Sequence, residues 1–376
     1  MSSPPAAARA ARSTIRYDPD SARALLAAEW PELEVRRLTW KPGGWDHAVW
    51  AVNGRCVLRV PKREAIGRAD LAERRLLEAI AGRLPLTVPR PLRTIEAGEL
   101  APFGATVYSF VPGRPLAARL PAESRVPEEV GRFLAALHAI PVSLGEAAGL
   151  AARPLTWAER HGFGELEREV FPLLSPLARA WLTGLYEHLH EVERASPGQP
   201  VILHGDFTHD HIFGRDAAGP VTGVIDFGDT CMGDPAADWR GLWAWGRAIV
   251  ERVAAAAELE DRSVLERAWI THHTLPADHI RFGLSFGSLP YGLELVRRSI
   301  AEVNRNAIAA EAAIRARCGL SLLEAPSSAV AALWGTTEGE LVFLGPYLRG
   351  LRFDEEHSPR AGERRHSAPA SRVASR

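Results

Sequence analysis

The chain has 376 residues, 46% of them hydrophobic, and a formal net charge of −1. That length predicts two or more domains with ample apolar cores, and a charge this close to zero gives no electrostatic case for nucleic-acid or membrane partners. No apolar run approaches the roughly 18 residues that a membrane helix needs. Three well-separated cysteines, Cys56, Cys231 and Cys318, argue against a disulfide framework and for a reducing, cytoplasmic setting.

Residues 1–19 are rich in Ala, Arg, Ser and Pro without a continuous apolar core, so they read as a disordered lead-in and not as a secretory signal. Asp20 to Trp30 predicts a short amphipathic helix with Leu25 and Leu26 inward, ended by Pro31. Three strands follow, Leu33 to Trp40, His47 to Val52 and Arg55 to Pro61. A turn containing Gly43 and Gly44 separates the first two, and the hairpin dipeptide Asn53-Gly54 separates the last two. Strand alternation puts Val57 and Arg59 on one face. Arg59, not Lys62, therefore points inward, unless the strand is an edge and Arg59 faces water. Ala69 to Leu84 has helical spacing at Leu71, Leu76, Leu77 and Ile80. Glu73 on this helix is placed to pair with the strand cation, with Glu78 as its competitor. Val88 to Pro91 opens another strand. Thr106 to Val111 is β-rich and stops at Pro112-Gly113. Beyond it the chain turns helical: Val126 to Ile140, Trp157 to Val170, Leu177 to Ala195, Trp239 to Leu259, Glu266 to His273, and Ile280 to Val296 with an interruption at Pro290. Leu322 to Phe353 reads as ordered, and 354–376 as a disordered tail.

The chemistry concentrates between Val201 and Asp238. An apolar run, Val201-Ile202-Leu203, ends at His204-Gly205-Asp206, and Val221 to Ile225 delivers Asp226-Phe227-Gly228-Asp229. In kinase-like phosphoryl transfer a catalytic-loop Asp takes the proton of the substrate hydroxyl, a residue five positions on helps hold a metal, and the Asp of D-F-G holds the metals that bridge the phosphates. Asp206, His211 and Asp226 stand at those positions. His204 reads as a loop pin, and His209 and Asp210 as solvated. A metallohydrolase centre built on the same histidines leaves the D-F-G-D run and the N-terminal strands unexplained.

These motifs resemble the aminoglycoside phosphotransferase family, whose loop usually reads H-G-D-x-x-x-x-N. His211 in place of Asn, the run G-V-I-D-F-G-D and the later G-D-P-A-A-D are closest to the aminoglycoside 2″-phosphotransferases, then to macrolide phosphotransferases. The resemblance covers about residues 30 to 310. It implies an α+β, bilobal, protein-kinase-like fold: an antiparallel-sheet N-lobe over 20–112, a mainly helical C-lobe over 113–320, and an extension over 321–353. It further implies Asp206 as catalytic base, Mg²⁺ on Asp226 and His211, and ATP or GTP as co-substrate. The nucleotide would meet Gly43, Gly44, Arg59 (supported by Glu73) and the hinge residues Ser109, Phe110 and Val111. Asp229, Tyr291 and Glu294 would face a small-molecule hydroxyl acceptor, and Asp238 would support the loop from within. No nucleic-acid or membrane partner is expected, and the protein would be a monomer or dimer. A kinase for another hydroxylated metabolite and a non-catalytic pseudokinase are the other readings; retention of both Asp206 and Asp226 speaks against the second.

Overall fold

The computed structural model describes residues 18–41, 46–156, 163–287 and 290–334. Gly43, Gly44, the first half of the predicted 157–170 helix and everything after Trp334 lie outside them.

The first helix, α1 (Pro19–Glu29), is capped by Asp18, whose carboxylate accepts the Ser21 N–H at 2.8 Å, and it buries Ala22, Leu25 and Leu26. Five antiparallel strands follow: β1 (Leu38–Lys41), β2 (His47–Val52), β3 (Cys56–Pro61), β4 (Pro91–Ile95) and β5 (Ala105–Ser109), ordered β1-β2-β3-β5-β4. Asn53 and Gly54 both take positive φ, 55° and 67°, as a two-residue hairpin matched to strand twist requires. The first strand starts at Leu38, not Leu33. Trp50, Val52, Leu58, Val60 and Val107 join Leu25 and Leu26 in a small core.

Helix α2 (Glu64–Ala79) corrects one expectation. Leu71 is 40% exposed, and the inward positions are Asp70, Glu73, Leu76 and Leu77. The first half of this face meets Arg59 and His47 of the sheet, so its stripe there is acidic. Its second half, with Ile80, enters a different and larger core.

That larger core belongs to a helical body: α3 (Val126–His138), α4 (Val142–Ala148), α5 (Phe163–Glu169), α6 (Pro176–Ala195), α7 (Ala236–Trp239), α8 (Arg247–Ala256), α9 (Ser263–Leu284), α10 (Pro290–Cys318) and α11 (Pro326–Leu333). The expected 239–259 helix is broken. Residues 240–245 form a 3₁₀ stretch that ends at Gly246, whose φ of +82° stops helical propagation. Two expected helices, from Glu266 and from Ile280, are instead one helix, α9, which runs through Pro276. The expected interruption at Pro290 is present: α9 ends at Leu284, and Pro290 opens α10, where a proline at the first position breaks no intrahelical hydrogen bond. Trp181, Trp269, His273 and Trp334 pack ring against ring at the centre of this body. No helix among the described residues is long and apolar enough to cross a membrane.

Two small sheets lie within the helical body and carry the chemistry-bearing loops. Strand β7 (Val201–Leu203) pairs with β10 (Cys231–Gly233), and β8 (Ile212–Gly214) lies between β6 (Arg114–Pro115) and β9 (Val221–Val224).

Candidate active site

The loop after β7 is held from below by one carboxylate. Asp238, fully buried, accepts the N–H of His204 at 2.9 Å and of Gly205 at 2.8 Å, and lies 3.0 Å from His138 Nε2. Burial alone would raise its pKa, but His138 and the loop groups reverse this and hold it below the usual carboxylate range. His204 spans the two loops: Nε2 bonds the Ile225 carbonyl at 2.9 Å, and Nδ1 accepts the Asp206 N–H at 3.3 Å. Gly205 takes φ +88°, and a Cβ there would sit 2.1 Å from the Asp229 carbonyl. Only glycine allows the first loop to lie against the second.

The second loop delivers Asp226 in the left-handed region, φ 66° and ψ 63°, a conformation costly for most residues and tolerated best by Asp and Asn. His211 stands between the two aspartates. Its Nδ1 lies 2.8 Å from the Asp206 carbonyl and 3.5 Å from Asp206 Oδ2, and its Nε2 lies 3.6 Å from Asp226 Oδ2. Burial would lower the His211 pKa; Asp226 and Asp206 outweigh it and raise it. Burial would likewise raise Asp226, but His211 and Arg59 bring it down to about 2.

From the small lobe, Arg59 reaches the same point. Its Nη1 donates to Glu73 Oε1 at 2.5 Å, its Nη2 lies 3.6 Å from Asp226 Oδ1, and its guanidinium sits over the Tyr108 ring at 5.5 Å. Burial alone would lower the Arg59 pKa, but Glu73 and Asp226 raise it. Glu78, the competitor for this pairing, is exposed. Two residues absent from the sequence reading complete the cluster. His47 Nδ1 lies 3.3 Å from Arg59 Nη2, and His47 Nε2 lies 2.9 and 3.0 Å from the oxygens of Asp70.

At the hinge, the Ser109 N–H donates to the Arg90 carbonyl at 2.8 Å and the Phe110 N–H to the Arg55 carbonyl at 3.1 Å. Those two amides are occupied. Val111 is buried, and its N–H meets no acceptor among the described residues.

On the opposite side Asp229 has one neighbour that sequence reasoning did not foresee. Arg153 Nη2 lies 3.2 Å from the Asp229 carbonyl and 3.8 Å from its Oδ1. Partial desolvation in the cleft, although most of the side chain is still exposed, and the neighbouring Asp206 raise the Asp229 pKa against the pull of Arg153. Glu294 is paired within its own helix: Arg297 and Arg298 take its carboxylate at 2.7 and 2.6 Å. Tyr291 packs edge-on against Phe286 at the α9–α10 turn.

Among the described residues no group of three or more His, Cys, Asp or Glu could enclose a metal. Asp226 and His211 offer one carboxylate and one imidazole nitrogen. With Nδ1–H turned to the Asp206 carbonyl, Nε2 is the nitrogen on the side of Asp226 and is the one the neutral ring would offer to a metal. A donor set this sparse fits a hard divalent cation that takes its remaining ligands from water and phosphate oxygens.

A five-stranded antiparallel sheet set against a helical body, with acidic loops where they meet, is the kinase-like phosphotransferase fold. Within it the chain belongs to the phosphotransferase enzyme family APH, whose family model matches residues 41–269. A complex of APH(2″)-IIIa with GDP and kanamycin is similar with a TM-score of 0.67 at 22% identity, over 75% of this chain and 96% of that one. The macrolide 2′-phosphotransferase MphH from Brachybacterium faecium gives 0.56 at 22%, over 75% and 98%. ADP-bound aminoglycoside phosphotransferase APH(2″)-Ib gives 0.55 at 17%, over 76% and 96%. A comparison with curated protein sequences finds no match.

Proposed function

We propose that this protein transfers the γ-phosphoryl group of ATP or GTP to a hydroxyl of an aminoglycoside. One observation carries the reading: Arg59 from the small lobe and His211 from the catalytic loop both lie 3.6 Å from the carboxylate of Asp226, with Asp206 on the far side of His211. Residues 20–112 would bind the nucleotide, and 113–320 would supply catalysis and the acceptor site. The Val111 amide would donate to the base, and Arg59 would donate to phosphate oxygens. Asp226 and His211 would hold Mg²⁺, which neutralises charge on the phosphates when bound. Asp206 would orient the acceptor hydroxyl and take its proton as the new O–P bond forms and the bond from phosphorus to the β–γ bridging oxygen breaks. Asp229 would then meet an acceptor amine.

A second reading has its own observation. Arg153 sits against Asp229, and Arg281 takes Glu165 and Glu169, so part of the acidity that would draw a polycation is already neutralised. That favours a less charged acceptor such as a macrolide.

The test is phosphoryl transfer by purified protein with Mg²⁺ and ATP or GTP, against aminoglycosides and macrolides, with Asp206→Ala in parallel. Acceptor-dependent turnover that vanishes in the variant supports the proposal and chooses between acceptors. Tight nucleotide binding without transfer points to a non-catalytic binder. Absence of nucleotide binding overturns the kinase reading.

A further inference from the structure

The small-lobe cation of this site is an arginine, and a guanidinium differs from an ammonium in one respect that matters here. It is a plane with donors fixed at its edges, so its orientation has to be set as well as its position. The Glu73 bond fixes one terminal nitrogen, Nη1. Beyond that bond Asp226 Oδ1, at 3.6 Å from Nη2, and the Tyr108 ring, at 5.5 Å, are looser neighbours, neither within hydrogen-bonding distance.

The sheet supplies a second contact. In the β2–β3 ladder Val49 faces Arg59 and His47 faces Pro61, so His47 and Arg59 lie diagonally on one face of the sheet. Helix α2 covers that face with Asp70 and Glu73, which are three residues apart and so project together. Glu73 takes the arginine directly. Asp70 takes His47 Nε2, at 2.9 and 3.0 Å. A carboxylate accepts only, so this bond places the imidazole hydrogen on Nε2 and leaves the Nδ1 lone pair for Arg59 Nη2, at 3.3 Å. His47, Asp70 and Glu73 are 7%, 3% and 1% exposed, so water does not compete for these bonds.

We infer that His47, its tautomer set by Asp70, is a positioning residue that fixes the plane of the Arg59 guanidinium for phosphate binding. The Asp70–His47–Arg59 chain and the Glu73–Arg59 bond together hold both terminal nitrogens. The inference rests on the proposed function, in which Arg59 contacts phosphate.

Two near-isosteric variants separate the halves of the imidazole. His47→Gln keeps a donor near the Nε2 position for Asp70 and removes the acceptor for Arg59. His47→Asn keeps an acceptor near the Nδ1 position and removes the donor. Binding of fluorescent GDP and ADP with Mg²⁺ is measured for wild type, both variants, Arg59→Lys, and Arg59→Lys combined with His47→Gln; melting temperatures monitor the fold. His47→Gln should weaken nucleotide binding about tenfold, the cost of losing one hydrogen bond to a charged group, and His47→Asn should weaken it less. In the Arg59→Lys background, His47→Gln should change binding less than about twofold, since an ammonium has no plane to set. Where turnover is measurable, the loss should fall on the nucleotide KM and leave kcat close to wild type. Wild-type binding with His47→Gln unchanged overturns this inference alone, as does the same tenfold loss in the Arg59→Lys background. Failure of the wild type to bind either nucleotide overturns the proposed function and the inference with it.

Discussion

The two sides of the site are built differently. On the small-lobe side, Arg59, Glu73, His47 and Asp70 are buried and joined in one chain of bonds. On the opposite side, the Asp229 and Arg153 side chains are 65% and 37% exposed and meet at 3.8 Å. Groups that are costly to bury unpaired are coupled to the packing of the lobe, so changing one disturbs the fold. Groups that remain hydrated can change at little cost. Under the proposed function the first construction would hold the nucleotide and the second would face the acceptor.

The largest expected effect tests whether chemistry lies on the open side. Asp206→Ala should lower kcat by about 10²- to 10⁴-fold, the usual worth of a positioned base, with the melting temperature near wild type because that side chain is partly exposed. A large loss of stability would break the comparison. Glu73→Ala is the counterpart on the closed side. It leaves the Arg59 charge buried with one direct partner fewer, and should cost about 3–5 kcal/mol in denaturant unfolding as well as nucleotide binding. Exposed-pair behaviour, under about 1 kcal/mol, would contradict the buried construction.

Acid probes buried groups away from the site. Burial in the tryptophan core drives His273 down to about 4 and His272 well below its ordinary value of 6.5. These groups bind protons in the unfolded chain before they do in the folded one. Stability is therefore full above about pH 6.5 and falls as pH drops toward 4, by about 1.4 kcal/mol per pH unit for each such histidine. Melting temperatures across that range should show the slope, and His273→Phe should flatten it. The smallest effect belongs to the open pair. Arg153→Ala should change stability by less than about 1 kcal/mol. It should lower KM for a cationic acceptor a few-fold by unmasking Asp229; unchanged KM values for every acceptor would place Arg153 outside the acceptor site.

What could be read from the sequence follows from distance along the chain. Asp206, His211 and Asp226 lie within a 21-residue stretch whose strands and turns are themselves legible, so their juxtaposition follows from local structure. Arg59 was legible from alternation, and Glu73 from its place on the helix. His47 and Asp70 were not. They are 23 residues apart, and each alone looks like an ordinary polar residue of a strand start or a helix surface. Leu71 misled for the complementary reason. The apolar stripe was assumed to run the length of α2, whereas the sheet opposite its first half presents His47 and Arg59 and calls for carboxylates. Arg153 reaches Asp229 from a loop 76 residues away, a proximity that no periodicity encodes. Gly246 changed a helix boundary because its effect depends on its backbone conformation, which composition does not reveal.

Helix α2 has a mechanical consequence. Its carboxylates engage the sheet, yet Leu76, Leu77 and Ile80 are packed into the core of the helical body. The helix is thus anchored to one lobe while it grips the other through Asp70 and Glu73. A swing of the sheet relative to the helices is resisted by two acidic contacts near the middle of one helix. Any such swing would have to lengthen the Arg59–Glu73 contact, which stands at 2.5 Å in this structure.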